Sequence, residues 1–216
     1  MQNLDEFILE KLKVRKIGTK YKPKTKQELV DLMIREIEAN GPDCSLNNID
    51  VSNITDMGYL FLGGEPMKYF HGHPVLSNFD GDISNWNVSN VTDMKYMFDN
   101  CQYTGKNGDI SDWKVSKVND MEGMFADSKY NGDIFDWDVS NVTNMFGMFY
   151  NSKFNGNISN WDVSNVKRFD AMFRNSKFNG DISNWKINPD AKDHMQRMFS
   201  KSPLEKNAPE WYYKYR

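Results

Sequence analysis

Few residues in this chain have the types and spacing that chemistry needs. Histidine occurs at His71, His73 and His194 and cysteine at Cys44 and Cys101. His71 and His73 could share a metal, but two imidazoles with no cysteine nearby make an incomplete donor set, so no metal site is assigned. No paired carboxylates, Ser/His/Asp set or phosphate loop stands out from the background. No catalytic residue and no cofactor is therefore expected, and the chain reads as a non-enzyme.

What remains is a row of acids and a basic tract. Asp82, Asp109, Asp133 and Asp181 recur in equivalent contexts, with Asn157 standing in the same row. Carboxylates stacked about 5 Å apart repel one another unless each bonds a turn amide, so Asx-type turns are the first choice. A calcium ladder is the sharper alternative, weakened by Asn157 and by the absence of the nonapeptide calcium signature. Residues 11–26 carry Lys11, Lys13, Arg15, Lys16, Lys20, Lys22, Lys24 and Lys26 and no acid, in a chain of net charge −3. Such a segment suits docking onto an anionic surface: nucleic acid, an acidic partner, or the chain's own acidic coils. The plain alternative is a solvated connector. No nucleic-acid motif accompanies it, so nucleic acid is the weaker partner.

The elements that position these residues come from a repeat. GDISNWNVSNVTDMKYMF from Gly81 returns at Gly108, Gly132, Gly156 and Gly180, and a degenerate copy, SLNNIDVSNITDMGYLF, starts at Ser45. Trp86, Trp113, Trp137, Trp161 and Trp185 mark the register at spacings of 27, 24, 24 and 24. A fixed period in the twenties predicts a solenoid of about six 24-residue coils that must stack to bury a shared core. Ile83, Trp86 and Val88 follow I-x-x-W-x-V, which predicts a short parallel strand over Asn85 to Val88. Met94, Met97, Phe98 and Cys101 at i, i+3, i+4 and i+7 predict a short helix, with Thr92 as its N-cap. The expected fold is α/β: strand-turn-helix coils with a parallel sheet on one face and short helices on the other.

Residues 1–43 read as a helical cap holding the basic segment, 44–204 as the repeat array with a loop insertion at 62–78, and 205–216 as an aromatic C-terminal cap. Thr25-Lys26-Gln27-Glu28 is a capping box ahead of a helix that ends near Asn40-Gly41, with Leu29, Val30, Met33, Ile34 and Ile37 on its apolar face. Pro209 precedes a last short helix bearing Trp211, Tyr212, Tyr213 and Tyr215. Two cysteines are too few for a disulfide framework, and Cys101 sits on the inner face, where a small apolar residue belongs. No apolar run reaches membrane-spanning length and the first residues are charged, so no membrane insertion, no signal peptide and a cytoplasmic or virion-associated location are expected.

The units resemble the BspA-like leucine-rich-repeat family, whose signature alternates D-I-S-x-W-D-V-S-x-V-T-x-M-x-x-M-F, and the likeness covers residues 45–200. The resemblance implies a leucine-rich-repeat-like solenoid and, for many members, adhesion at a microbial surface; it brings no catalytic residues. Surface-exported members carry a leader or lipid-attachment sequence, whereas small leaderless proteins with such repeats occur in bacteriophage and large-virus genomes. The function expected is a non-enzymatic protein-interaction scaffold, with a bacteriophage-encoded virion or host-interaction protein as one concrete version. The alternative is a glycan-binding or adhesive bacterial surface protein.

Two surfaces are candidates for the partner, another protein first and a glycan second. Residues flanking Trp and Val, among them Asp112, Lys114, Asp136, Asp138 and Asp162, point away from the core as a polar, mildly acidic face. In the third full repeat, Phe135 stands where sister coils have serine, and Phe146 where they have Lys95, Glu122 and Asp170, with Tyr150 following. Aromatics at positions that are polar elsewhere predict an interaction patch. The loop insertion with His71 and His73 and the basic arm Lys11, Lys13, Arg15, Lys16, Lys20 and Lys22 are further candidates.

Overall fold

The computed structural model describes residues 21–64 and 73–215. Helix α1 (Lys26–Asn40) starts where Thr25 Oγ1 accepts the Glu28 amide at 3.1 Å and Glu28 Oε2 accepts the Lys24 amide at 2.7 Å. It stops at Gly41, whose φ of +88° is open to glycine and whose N–H returns to Ile37 O. Leu29, Met33 and Ile37 are buried as one face of this helix. After it the chain winds through successive coils, interrupted by helix α2 (Pro74–Ser77), and closes with helix α3 (Glu210–Tyr215).

The coils stack, but they are not the strand-turn-helix units expected. Among the described residues there is no strand and no sheet. The helices are α1, α2 and α3, joined by single 3-10 turns at Pro189–Ala191 and Pro203–Glu205, and none lies in an M-x-x-M-F segment. Extended pairing is reduced to isolated parallel bridges, running Asp56 to Asp93 to Asp120 to Asn144 to Arg168, with Tyr21 to Ile49 and Ser45 to Asp82 at the start.

Local hydrogen bonds explain both failures. Over Asn85 to Val88 no ladder forms, because Trp86 N–H is spent on Ile83 O and Val91 N–H on Val88 O, each closing a turn within its own coil. Over Met94 to Cys101 the chain enters the left-handed region at Tyr96 (φ +53°) and again at Asn100 (φ +50°), which breaks any α-helix. The equivalent pairs are Gly123 and Asp127, Gly147 and Asn151, and Ala171 and Asn175. Glycine, asparagine and aspartate are the residues that tolerate this conformation at low cost. Thr92 caps nothing; its amide and Oγ1 both donate to Thr55 O of the preceding coil.

The segment assigned to a helix instead carries the inter-coil ladder. Amides of Met94, Tyr96, Phe98 and Asn100 donate to the carbonyls of Asp120, Glu122, Met124 and Ala126 at 2.7–3.0 Å. The next coil repeats this from Met121, Gly123, Phe125 and Asp127 to Asn144, Phe146, Met148 and Tyr150. Every such amide points toward the C-terminal end of the stack and every accepting carbonyl toward the N-terminal end. At the first coil Lys26 Nζ covers the carbonyl side, meeting Gly58 O at 2.5 Å and Asp56 at 2.9 Å.

Columns of identical side chains fill the interior. The rings of Phe61, Phe98, Phe125, Phe149, Phe173 and Phe199 stack in a file with centroids 5.3–5.9 Å apart. Each tryptophan donates its indole N–H to the carbonyl of the isoleucine position one coil back: Trp113 to Ile83 O, Trp137 to Ile110 O, Trp161 to Ile134 O and Trp185 to Ile158 O, at 3.0–3.2 Å. Trp211 of α3 takes the next place, stacking on Trp185 at 6.2 Å and donating to Ile182 O at 2.8 Å. Helix α3 thus supplies the tryptophan position of the next level of the stack. A buried indole with its N–H bonded contributes both area and a satisfied polar group.

The acid row serves turns. Asp82, Asp109, Asp133, Asn157 and Asp181 each accept, through Oδ1, the amide two residues on, at 2.8–3.0 Å. Asn157 fits because an amide oxygen performs this task as well as a carboxylate does. Asn141 and Asn165 reach back to Ser116 O and Ser140 O at 2.7 Å, so the serine and asparagine columns also hold coil to coil.

Candidate functional site

On the outward side of the ladder the columns stop being uniform. One position reads Tyr59, Tyr96, Gly123, Gly147, Ala171 and Arg197 along the stack, and the position three residues later reads Leu62, Asp99, Ala126, Tyr150, Arg174 and Ser200. Gly123, Gly147 and Ala171 in the first column, with Ala126 in the second, leave an open hollow of about 250 Å³. Gly123, Ala126, Gly147 and Ala171 form its floor, while Tyr96, Phe146 and Tyr150 supply rings and Asp99, Asp127 and Arg174 supply charge.

A polar network fixes the walls. Tyr96 stacks on Tyr59 at 5.2 Å and donates its hydroxyl to Glu122 Oε1 at 2.6 Å; burial and the Glu122 charge push that hydroxyl's pKa above its ordinary value. Glu122 Oε2 accepts from Asn144 Nδ2 at 2.8 Å and faces Arg168 at 3.7 Å. Arg168 in turn lies over the Phe146 ring, 5.0 Å from its centroid, and Arg174 lies 5.7 Å from that of Tyr150. Phe146 and Tyr150 are half-buried, held in place by these cations.

Two polar groups of the hollow, the Arg174 Nε and the Asp99 carboxyl, have no hydrogen-bond partner among the described residues. Arg174 Nε is buried with no partner. Asp99 is half-buried, and burial, with the nearby Asp127 charge adding to it, raises its carboxyl to about 7. A hollow with flat apolar walls, a carboxylate poised near neutrality and an unspent guanidinium donor can meet a ligand carrying an apolar body with a donor and an acceptor.

The structure separates the other sequence candidates from this place. Phe135 is half-buried and its amide bonds Asp133, but it does not line the hollow. Asp112, Lys114, Asp136, Asp138 and Asp162 are all exposed, and none of them lines it either. They do not stand on a sheet, because Asp138 and Asp162 accept the amides of Ser140 and Ser164 and so belong to turns. In the basic arm, Lys11, Lys13, Arg15, Lys16 and Lys20 lie outside the described residues. Lys22 pairs with Asp50 at 3.2 Å, beside the bridge that lays Tyr21 on the first coil. His71 also lies outside the described residues, and His73 caps α2, its Nδ1 accepting the Val75 amide at 3.3 Å. Cys101 is buried and donates to Phe98 O, and burial pushes its thiol up to about 12, which leaves it inert at neutral pH.

The sequence does not single out Tyr96, Asp99 and Arg174, because their coils look ordinary one at a time. Read down the columns, the run of glycine and alanine between Tyr96 and Arg197 is the available signal.

Among the described residues no group of three or more His, Cys, Asp or Glu side chains is placed to hold a metal ion, and no helix is long and apolar enough to cross a membrane. The architecture defines a repeat protein of stacked, turn-built coils. The chain belongs to the family described as Mycoplasma protein of unknown function, DUF285, which matches residues 33–152 and, in a second register, 102–211. No curated protein and no solved structure matches it.

Proposed function

We propose that this chain is a non-enzymatic protein-interaction scaffold whose partner sits in the hollow between Tyr96 and Arg174. One observation carries the reading: identical coils give way, over three successive turns, to small residues ringed by aromatics, an uncompensated carboxylate and a partnerless guanidinium nitrogen. Purely architectural coils have no need of these groups, and unpaired polar atoms beside rigid aromatic anchors are what interface centres contain. The relation of this family to BspA-like surface proteins supports an interaction role. Its description as a Mycoplasma family favours a bacterial setting over a bacteriophage one.

A glycan is the second reading, favoured by the same juxtaposition of Tyr96 and Tyr150 with Asp99, since aromatic faces take sugar C–H groups and carboxylates take hydroxyls. One paired experiment tests both. Proteins retained by the immobilised wild type are compared with those retained by Phe146→Lys, and both chains are applied to a glycan array. The scaffold reading expects a protein that wild type holds and Phe146→Lys loses at least tenfold, with an unchanged melting temperature. Identical retention by the two chains contradicts it, and glycan binding lost in the variant transfers the site to the second reading.

A further inference from the structure

The ladder is one-sided, and its last rung has no acceptor among the described residues. Phe169, Ala171, Phe173 and Asn175 give their amides to the carbonyls of His194, Gln196, Met198 and Ser200, so the carbonyl side of the final coil is used. The amides that occupy the donor positions in that coil are Met195, Arg197, Phe199 and Lys201, and none of them has a hydrogen-bond partner among the described residues. Arg197 and Lys201 keep the left-handed geometry, at φ +56° and +59°, that aims the equivalent amides of earlier coils at the next one. Against this edge lies a hollow of about 510 Å³, walled by Tyr212, Tyr213 and Tyr215 of α3 and by Glu205. Tyr213 is 58% exposed, the one large hydrophobic side chain so exposed among the described residues.

We propose that this amide edge docks an extended segment of a partner polypeptide, which joins the stack by offering main-chain carbonyls to Arg197, Phe199 and Lys201 while its side chains rest on the α3 tyrosines. Every other coil shows what these amides donate to, namely a row of carbonyls at two-residue spacing. A second copy of the chain is a poor occupant. In its own acceptor row at the first coil Gly58 O already takes Lys26 Nζ, which interrupts the row, and two donor edges cannot pair with each other. A small anion fits no better, since the donors are spread from Met195 to Lys201 and Asp193 and Glu205 flank them. This site stands apart from the mid-array hollow and does not rest on the role proposed for it.

The test uses the nitrogen-15-labelled chain of 216 residues and a synthetic peptide of its own residues 120–127, DMEGMFAD, whose carbonyls fill this role inside the array. In the free protein the amides of Arg197, Phe199 and Lys201 exchange faster than those of Ala171 and Phe173. Saturating peptide slows them roughly tenfold or more, Tyr213→Asp weakens the peptide's binding, and Phe146→Lys leaves it unchanged. The proposal is overturned if the peptide does not bind, if it binds with those amides still exchanging freely, or if they are already as protected as Ala171 and Phe173 in dilute protein. Protection that appears without peptide as protein concentration rises, together with a doubled mass, assigns the edge to a second copy instead and likewise overturns it.

Discussion

The indole of each repeat tryptophan does two jobs that can be separated by one substitution. Trp137→Phe keeps most of the buried ring but removes one of the two donors to Ile110 O, which still accepts the Trp113 amide, so the change should cost about 0.5–1.5 kcal/mol for one lost hydrogen bond. A denaturant midpoint that does not move would show that the ladder of indole bonds adds nothing. Asp99 offers a pH signature. Its native value near 7 lies above the ordinary 3.8, so between those values the folded chain holds a proton that the unfolded chain has released. Stability therefore falls as pH rises through that window, and the penalty is complete above it. Asp50 acts in the opposite sense. Its bonds to Ser52, with Lys22 adding a smaller share, lower it to about 2, so its contribution is present above 3.8 and disappears as pH falls toward 2. Asp99→Asn should raise stability at pH 8 by on the order of 1–2 kcal/mol, allowing for partial solvent screening, and change nothing at pH 4. An equal gain at both values would remove the burial argument.

At the scale of the elements, the periodicity that suggested a helix was real but ambiguous. Met94, Met97, Phe98 and Cys101 are all buried, as the i, i+3, i+4, i+7 reading required. That same pattern of inward residues is produced by a chain that reverses its handedness every fourth residue, and the reversal is written in less conspicuous letters: Asn100, Asp127, Asn151 and Asn175, with Gly123 and Gly147 between the methionines. The strand failed for a related reason, since Ile83 to Trp86 and Val88 to Val91 are tight turns whose amides were already spent. Helix α1, by contrast, was legible to within a residue, because its signals, Thr25 and Gly41, are chemical and local. The handedness account makes a paired prediction. Gly123 and Gly147 share φ +58°, but a Cβ on Gly123 would lie 2.3 Å from the Tyr96 ring, which Glu122 and Tyr59 hold in place, whereas at Gly147 the nearest atom is 3.8 Å away. Gly147→Ala should cost only the left-handed penalty of about 1–2 kcal/mol. Gly123→Ala should cost clearly more in thermal melts, and equal losses would mean that Tyr96 is not seated as described.

Taken whole, the molecule is a stack in which every level is a copy of its neighbour except where something else is required. The tryptophan register could be read from the repeat, because identical residues recurring at a fixed interval have few ways to be buried other than on top of one another. The hollow could be read only in part. Phe146 and Tyr150 betray themselves by departing from their sister coils, while Gly123, Gly147 and Ala171 are small residues whose importance lies in what they fail to fill. The direction of the ladder was not legible at all, since no residue type records which way an amide points. Direct stacking is the claim on which the hollow, the indole ladder and the open amide edge all depend. It is tested most directly by spin-label distances on exposed equivalent positions. Labels on Lys114 and Lys186, three coils apart, and on Asn87 and Lys186, four apart, should give narrow distributions whose centres differ by about 5 Å, one inter-strand spacing. Broad distributions, or centres that do not step by one coil, would contradict it.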